Sequence, residues 1–229
     1  MSIKECEELA NLPRILMVDD SLEQGREFPC LLELSIWTCR NLRELPRLFP
    51  SLAIIVIDGC QELTELPRLP SIRELEVNKF DEGVLQSIID LTSLNYLRIC
   101  QISKLTCFLE GFFQRLTALE ELQIVHLGDL TTLSNEIGLQ NLQCLQRLEI
   151  SGCPFLKELP QMLYKLSSLK ELRVSNCPSL VHCFADYHLP NASDDPSKDF
   201  HPCKKNACLV RKQENLDLRD NPIACIASI

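Results

Sequence analysis

Hydrophobic residues recur in a fixed order between residues 31 and 180. The order is L-x-x-L-x-[I/V]-x-x-[C/apolar]-x-x-[apolar], and the chain contains seven copies of it. The copies begin at Leu31, Leu52, Ile72, Leu94, Leu119, Leu145 and Leu169. Within each copy, alternation such as that of Leu34 and Ile36 is typical of a short strand with one face in a core. Each copy therefore predicts one strand, followed by a return segment that is irregular or a short helix.

The spacing of the copies indicates how they pack. Successive copies start 20 to 26 residues apart, within the period of roughly 20 to 29 residues shown by leucine-rich repeats. One copy cannot cover its own apolar side chains, so neighbouring copies must stack. Parallel strands lie ~4.8 Å apart while the return segments are bulkier, which bends the stack. We predict an α/β solenoid: a leucine-rich repeat horseshoe with a concave parallel β-sheet and an irregular or short-helical convex side.

The residues between the inward positions of each strand form the candidate protein-binding face. They have no role in packing, so they can vary without breaking the fold. In register, the first row is Glu33, Ile54, Glu74, Tyr96, Glu121, Arg147 and Glu171, and the second is Ser35, Val56, Glu76, Arg98, Gln123, Glu149 and Arg173. A third row holds Trp37, Asp58, Asn78, Cys100, Val125, Ser151 and Ser175. Our candidate site comprises the first two rows together with Trp37 and Asp58.

An apolar group stands out on this face near its N-terminal end. Trp37, Ile54 and Val56 are expected to lie close together, and grouped exposed apolar side chains often mark a protein contact, with Trp a favoured anchor. The alternative is that Trp37 merely covers the stems of its neighbours or packs under the irregular first 30 residues.

An acidic group is expected beside it. Glu74 and Glu76 should lie near Glu33 and Asp58, either as a solvated face or as a site for a basic partner.

The two ends depart from the regular array of residues 31–184. Residues 1–30 contain a partial repeat and a charged stretch that we interpret as a loop insertion, a start that suggests a fragment of a longer chain. Residues 185–229 lose the periodicity and are predicted to be an irregular, flexible tail. Within that tail, residues 216–221 carry either one further strand or a chance match to the pattern.

Composition limits the class of partner. The chain has 229 residues and a formal net charge of −9, which is the wrong sign for binding a phosphate backbone, so no nucleic-acid partner is predicted. No stretch reaches the ~18 consecutive apolar residues of a membrane span, and the N-terminus does not resemble a secretory signal. We expect a protein partner and a cytoplasmic or nuclear location.

Thirteen cysteines raise the question of disulfides. Five of them occupy the ninth position of a repeat or its equivalent: Cys6, Cys39, Cys60, Cys153 and Cys177. At that position we expect the thiol to pack as a small, nearly apolar group with its S–H directed at a nearby backbone carbonyl. The odd total and the absence of C-x-x-C agree with a reducing compartment.

The sequence offers no convincing catalytic, cofactor or metal site. The glycine-rich phosphate-binding loop G-x-x-x-x-G-K-[S/T] is absent. Of the four histidines only His126 lies in the array, with no nucleophile and carboxylate at a suitable spacing, and Glu121 and Glu149 are better interpreted as solvated side chains. The His and Cys residues after position 181 lack the close spacing of structural zinc ligands. We predict a protein that is not an enzyme and that has no cofactor.

Phrases such as CRNLRELPRLFPSL, LTSLNYLRI and LYKLSSLKELRVSNCPSL resemble the repeats of plant intracellular nucleotide-binding leucine-rich repeat disease resistance proteins of the coiled-coil class. The resemblance extends over residues 1–183. It implies a module that senses a pathogen effector or a guarded host protein and that holds a nucleotide-binding module inactive.

The chain also departs from that family. It contains neither the coiled coil nor the nucleotide-binding module, so nucleotide switching does not carry over to it. Two alternatives stay open: the substrate-adaptor repeats of a ubiquitin-ligase receptor, and a truncated fragment without function.

Overall fold

Each repeat contributes one short strand. A computed structural model describes residues 1–6, 28–80, 82–133, 138–160, 163 and 166–180, and the strands within 207–211 and 224–226. The strands are β1 Ser2–Lys4, β2 Glu33–Trp37, β3 Ile54–Asp58, β4 Glu74–Asn78, β5 Tyr96–Cys100, β6 Glu121–Val125, β7 Arg147–Ser151, β8 Glu171–Ser175, β9 Ala207–Arg211 and β10 Ala224–Ile226. Helical segments are short: α1 covers Val84–Ile88, and a 3-10 helix covers Leu139–Asn141.

The ten strands form a single sheet in the order of the chain. Strands β1 to β8 are all parallel, and their registers do not slip: Leu34 lies opposite Ile55, which lies opposite Leu75. A slip of one residue would turn every apolar strand residue to the outer face, so burial fixes the register. The predicted solenoid, with a parallel sheet as its concave wall and irregular or short-helical return segments, is confirmed.

The core is one continuous column of inward side chains. Leu34 and Ile36 in β2 are 1% and 0% exposed, and the matching pairs of β3 to β8 are buried in the same way. Return segments supply the opposite wall, where α1 buries Val84, Leu85 and Ile88. Full burial of such a side chain contributes roughly 1.5–3 kcal/mol, and each repeat obtains that burial only from its neighbours.

The repeat-position thiols behave as expected. The thiols of Cys39, Cys60, Cys153 and Cys177 are buried and donate to the carbonyl two residues earlier, with Sγ–O distances of 3.6, 3.8, 3.7 and 3.3 Å. Cys6 makes the same contact at 3.3 Å but is exposed, because it belongs to the first repeat. Burial raises the pKa of Cys60 to about 11.

The residue directly after each of the strands β1 to β8 adopts a left-handed conformation. These residues are Glu5, Thr38, Gly59, Lys79, Gln101, His126, Gly152 and Asn176, with φ between 51° and 70°. The conformation lets the backbone N–H continue the ladder onto the next strand, as from Thr38 N to Asp58 O at 2.7 Å. For a residue other than glycine this conformation costs about 1–2 kcal/mol. The hydrogen bonds of the ladder and the packing of the stack therefore stabilise a strained backbone at most of these positions.

Thr38→Gly is expected to stabilise the chain by about 0.5–1 kcal/mol. Relief of the left-handed strain at φ 56° outweighs the added backbone entropy of glycine in the unfolded state. Urea unfolding followed by circular dichroism measures the change, and Thr38→Val, which keeps the branched Cβ, should show no gain. An unchanged or lower stability of Thr38→Gly would show that the turn carries no strain.

The N-terminal residues add a strand to the array. Strand β1 pairs in parallel with β2, with Ile3 opposite Ile36, and the terminal amine of Met1 donates to Glu33 O at 2.7 Å. The predicted partial repeat therefore contributes a strand, while the predicted loop insertion falls within residues 7–27, which lie outside the described residues.

The C-terminal end of the sheet differs from the expected irregular tail. Strand β9 pairs antiparallel with β8, and β10 pairs antiparallel with β9. Neither strand was predicted, because ACLVR has no repeat context. An open sheet edge presents unpaired N–H and C=O groups. The edge of β8 that faces away from β7 would be such an edge, and β9 pairs with it. The strand considered near 216–221 lies outside the described residues.

Candidate protein-binding face

The sixteen predicted site residues share one face of the sheet. All are outward side chains of β2 to β8 and all are partly or fully exposed. The pairing registers place them in the predicted rows, for example Glu74 opposite Tyr96 and Tyr96 opposite Glu121. The structure thus brings these residues together, and their part in binding stays a prediction.

The side chains of the third row are less exposed than the alternation of the strands predicts. Cys100 and Val125, which were placed among the outward residues, are each only 6% exposed. They are paired in register at the ends of β5 and β6, in the middle of the face. The outward surface at the end of these strands is therefore narrower than predicted.

A shallow cavity of about 270 Å³ opens on the N-terminal half of the face. We call it the N-terminal depression. It is lined by residues of strands β2 to β5: Trp37, Val56, Ile57, Asp58, Glu76, Val77, Asn78, Arg98 and Cys100. Two of the three members of the predicted apolar group, Trp37 and Val56, form part of its wall. The third, Ile54, lies two residues before Val56 on the same side of β3.

The acidic group is smaller than predicted. Asp58 accepts a hydrogen bond from Asn78 Nδ2 at 2.8 Å and lies 3.6 Å from Lys79 Nζ, so its charge is compensated within the protein. Glu33, Glu74 and Glu76 form no ion pair with any residue that the structure describes. The unbalanced acidity of the N-terminal half resides in these three carboxylates.

The C-terminal half of the face is internally paired. Arg98 Nη1 donates to Gln123 Oε1 at 2.5 Å, Gln123 Nε2 donates to Glu121 Oε1 at 2.8 Å, and Arg147 Nε donates to Glu121 Oε2 at 2.7 Å. This chain of contacts spans β5 to β7. Each partly exposed ion pair adds little stability by itself, but the network fixes the side chains, and Arg147 compensates the charge of Glu121.

Arg173 and Tyr96 also affect the distribution of charge on the face. Arg173 Nε donates to Glu171 Oε1 at 2.9 Å, which extends the pairing to β8. Burial and the nearby Glu76 carboxylate raise the pKa of Tyr96 to about 12. The Tyr96 phenol is therefore protonated at neutral pH and lies between the acidic and the internally paired halves.

Sequence reasoning did not include Asn78, Lys79 and Cys100 in the site. Asn78 and Cys100 line the depression, and Lys79 compensates Asp58. Asn78 was assigned to the third row, so its place beside Asp58 could have been found from the register. The direction of the Lys79 side chain depends on its left-handed backbone, which no pattern in the sequence indicated.

Across the described part of the chain, no three His, Cys, Asp or Glu side chains are grouped to hold a metal ion. His126 lies at a strand end, with its ring against Gly152. The helices in the same part of the chain are too short or too polar to cross a membrane.

Comparison with known families supports the class that the fold defines. A family model described as Leucine Rich Repeat matches residues 144–166, a segment that contains β7. Comparison with curated proteins gives no match. The chain is a leucine-rich repeat solenoid, a class that presents an extended concave surface for binding proteins.

Proposed function

We propose that this chain recognises a protein through the concave face of β2 to β8. The observation that carries the proposal is the N-terminal half of that face, where Trp37, Ile54 and Val56 remain partly exposed on strands whose inner faces are fully packed. Exposed apolar side chains grouped in this way, with an aromatic anchor, are typical of binding hot spots. The internally paired C-terminal half provides a rigid, polar border.

We further propose that the recognition is of the plant immune-receptor type. The support is the resemblance of the repeats to those of intracellular disease resistance proteins of the coiled-coil class. The partner would be a pathogen effector, a guarded host protein or the nucleotide-binding module of a related receptor, which the chain would hold inactive. The odd number of cysteines, 13, supports a location in the cytoplasm or nucleus.

Site-specific photo-crosslinking in plant cells tests this function. A photoreactive phenylalanine analogue at Ser35 or Gln123 on the concave face is expected to capture a defined set of proteins. The same analogue at Gln61, an exposed turn residue, should not capture that set. Adding Trp37→Ala should reduce the yield at Ser35 about tenfold, since a central Trp often contributes 2 kcal/mol or more.

The test depends on comparing the proteins captured at Ser35 with those captured at Gln61. Equal capture of the same proteins at Ser35 and Gln61 would contradict recognition by the concave face. Circular dichroism of each variant confirms that the array is folded, so a lost cross-link reports on binding.

A further inference from the structure

The N-terminal depression has the size of a site for one side chain. Its volume of about 270 Å³ lies below the roughly 300–1,000 Å³ of pockets that enclose small-molecule ligands. Trp37 and Val56 supply its apolar wall, and Glu76 and Asp58 supply carboxylates on neighbouring strands. A flat ring beside carboxylates suits a long side chain with an apolar stem and a charged end.

The charges around the depression favour a cationic guest. The carboxylates of Glu33, Glu74 and Glu76 lack ion-pair partners among the described residues, and they occupy two adjacent rows of the face. None of the nearby basic groups that the structure describes forms an ion pair with these three carboxylates. Lys79 pairs with Asp58, and Lys4 lies at the edge of the face opposite Trp37. Arg98 lines the depression opposite Glu76 but donates to Gln123, and the Met1 amine donates to the Glu33 carbonyl.

One polar atom in the wall is unsatisfied. Asn78 Nδ2 donates to Asp58, but Asn78 Oδ1 is buried and accepts from no residue that the structure describes. A buried acceptor without a donor is unfavourable. Asn78 lines the depression, so the wall holds an acceptor that the described part of the protein leaves unsatisfied.

We propose that the N-terminal depression binds an arginine side chain from an exposed segment of the partner protein. The guanidinium stacks on the Trp37 ring while its N–H groups donate to the Glu76 carboxylate. Arginine fits better than lysine because its planar fork can stack and donate in two directions at once. This inference rests on the proposed function and names the chemistry that the face selects.

Selection from a random peptide library displayed on phage, with the full chain as bait, tests the proposal. Peptides whose binding is lost with Trp37→Ala are retained and synthesised. They are expected to share an arginine whose replacement by citrulline, which is nearly isosteric but neutral, weakens binding at least about tenfold. Glu76→Gln should weaken the arginine peptides by a similar factor, whereas Glu149→Gln, in the same row near the other end, should leave their affinity unchanged.

A charge exchange separates recognition from a structural effect. Glu76→Arg should abolish binding of the arginine peptides and restore binding of peptides with glutamate in place of that arginine. If Trp37-dependent peptides lack arginine, or if citrulline binds equally well, the arginine site is wrong while the concave face remains a binding surface. If no selected peptide depends on Trp37, the arginine site is overturned, and failure of the cross-linking test would then remove the proposed function as well.

Discussion

Phe112→Ala is expected to lower the free energy of unfolding by about 3–5 kcal/mol, the range for truncating a fully buried Phe. The Phe112 ring is 0% exposed and lies between two others, with centroids 5.0 Å from Phe108 and 4.9 Å from Phe113. This cluster fills the return segment of the repeat that begins at Leu94, and all three rings are buried. Chemical denaturation followed by far-UV circular dichroism measures the loss.

Leu109→Ala is the matched control, because Leu109 lies in the same segment and is 44% exposed. It should change the stability by less than about 0.5 kcal/mol, as for most surface substitutions. Similar losses for both variants would mean that the aromatic cluster is not a packing centre. A loss of cooperativity in Phe112→Ala alone would place the weakest interface of the stack at this repeat, since repeat arrays are stabilised by nearest-neighbour contacts.

Gly152→Ala is expected to cost about 2–5 kcal/mol for two separate reasons. The residue has φ 67°, which costs about 1–2 kcal/mol for a residue with a side chain. A Cβ at this position would also lie 2.2 Å from His126 Nδ1 and 2.8 Å from His126 Cε1, so the imidazole must move, and overpacking of this kind costs about 1–3 kcal/mol. The loss of stability is measured by urea unfolding.

Two variants separate these causes. Gly128→Ala should be nearly neutral, because no atom lies within 4 Å of the added Cβ. In a chain that already carries His126→Ala, Gly152→Ala should destabilise less, because the clash with the imidazole is gone. The remaining loss of stability is the cost of the left-handed backbone. If the double variant shows no coupling, the left-handed backbone accounts for the whole effect. If Gly152→Ala itself is neutral, the close approach of His126 to Gly152 is wrong.

The fold could be predicted from the sequence because its rule is local and repeated. Leu34 and Ile36, and the equivalent pair in each later copy, mark a strand, and the constant position of that pair within each copy puts the strands in register. The same rule identified the sixteen outward residues, since alternation assigns them to the face opposite the core. The thiol contacts of Cys39 and Cys153 followed from their constant position in the repeat.

The details of the site could not be predicted in the same way. Whether Glu121 is free or bonded to Arg147 depends on side-chain rotamers, which the alternation of the strand does not specify. The same holds for Asp58, which Asn78 and Lys79 satisfy from the neighbouring strand. Cys100 and Val125 occupy outward positions by their order in the chain but are buried in the folded stack. Strands β9 and β10 lie outside the repeated pattern, so no periodic signal marked them.

By itself the sequence determined the solenoid, the register of its strands and the residues of the outward face. These properties follow from hydrophobic burial, which acts through the spacing of apolar residues along the chain. Only the tertiary structure decided which outward charges are compensated, where the depression lies beside Trp37, and why Gly152 must lack a side chain opposite His126. Those properties depend on directions and distances between repeats, because side chains more than 20 residues apart in the chain meet only when the stack has formed.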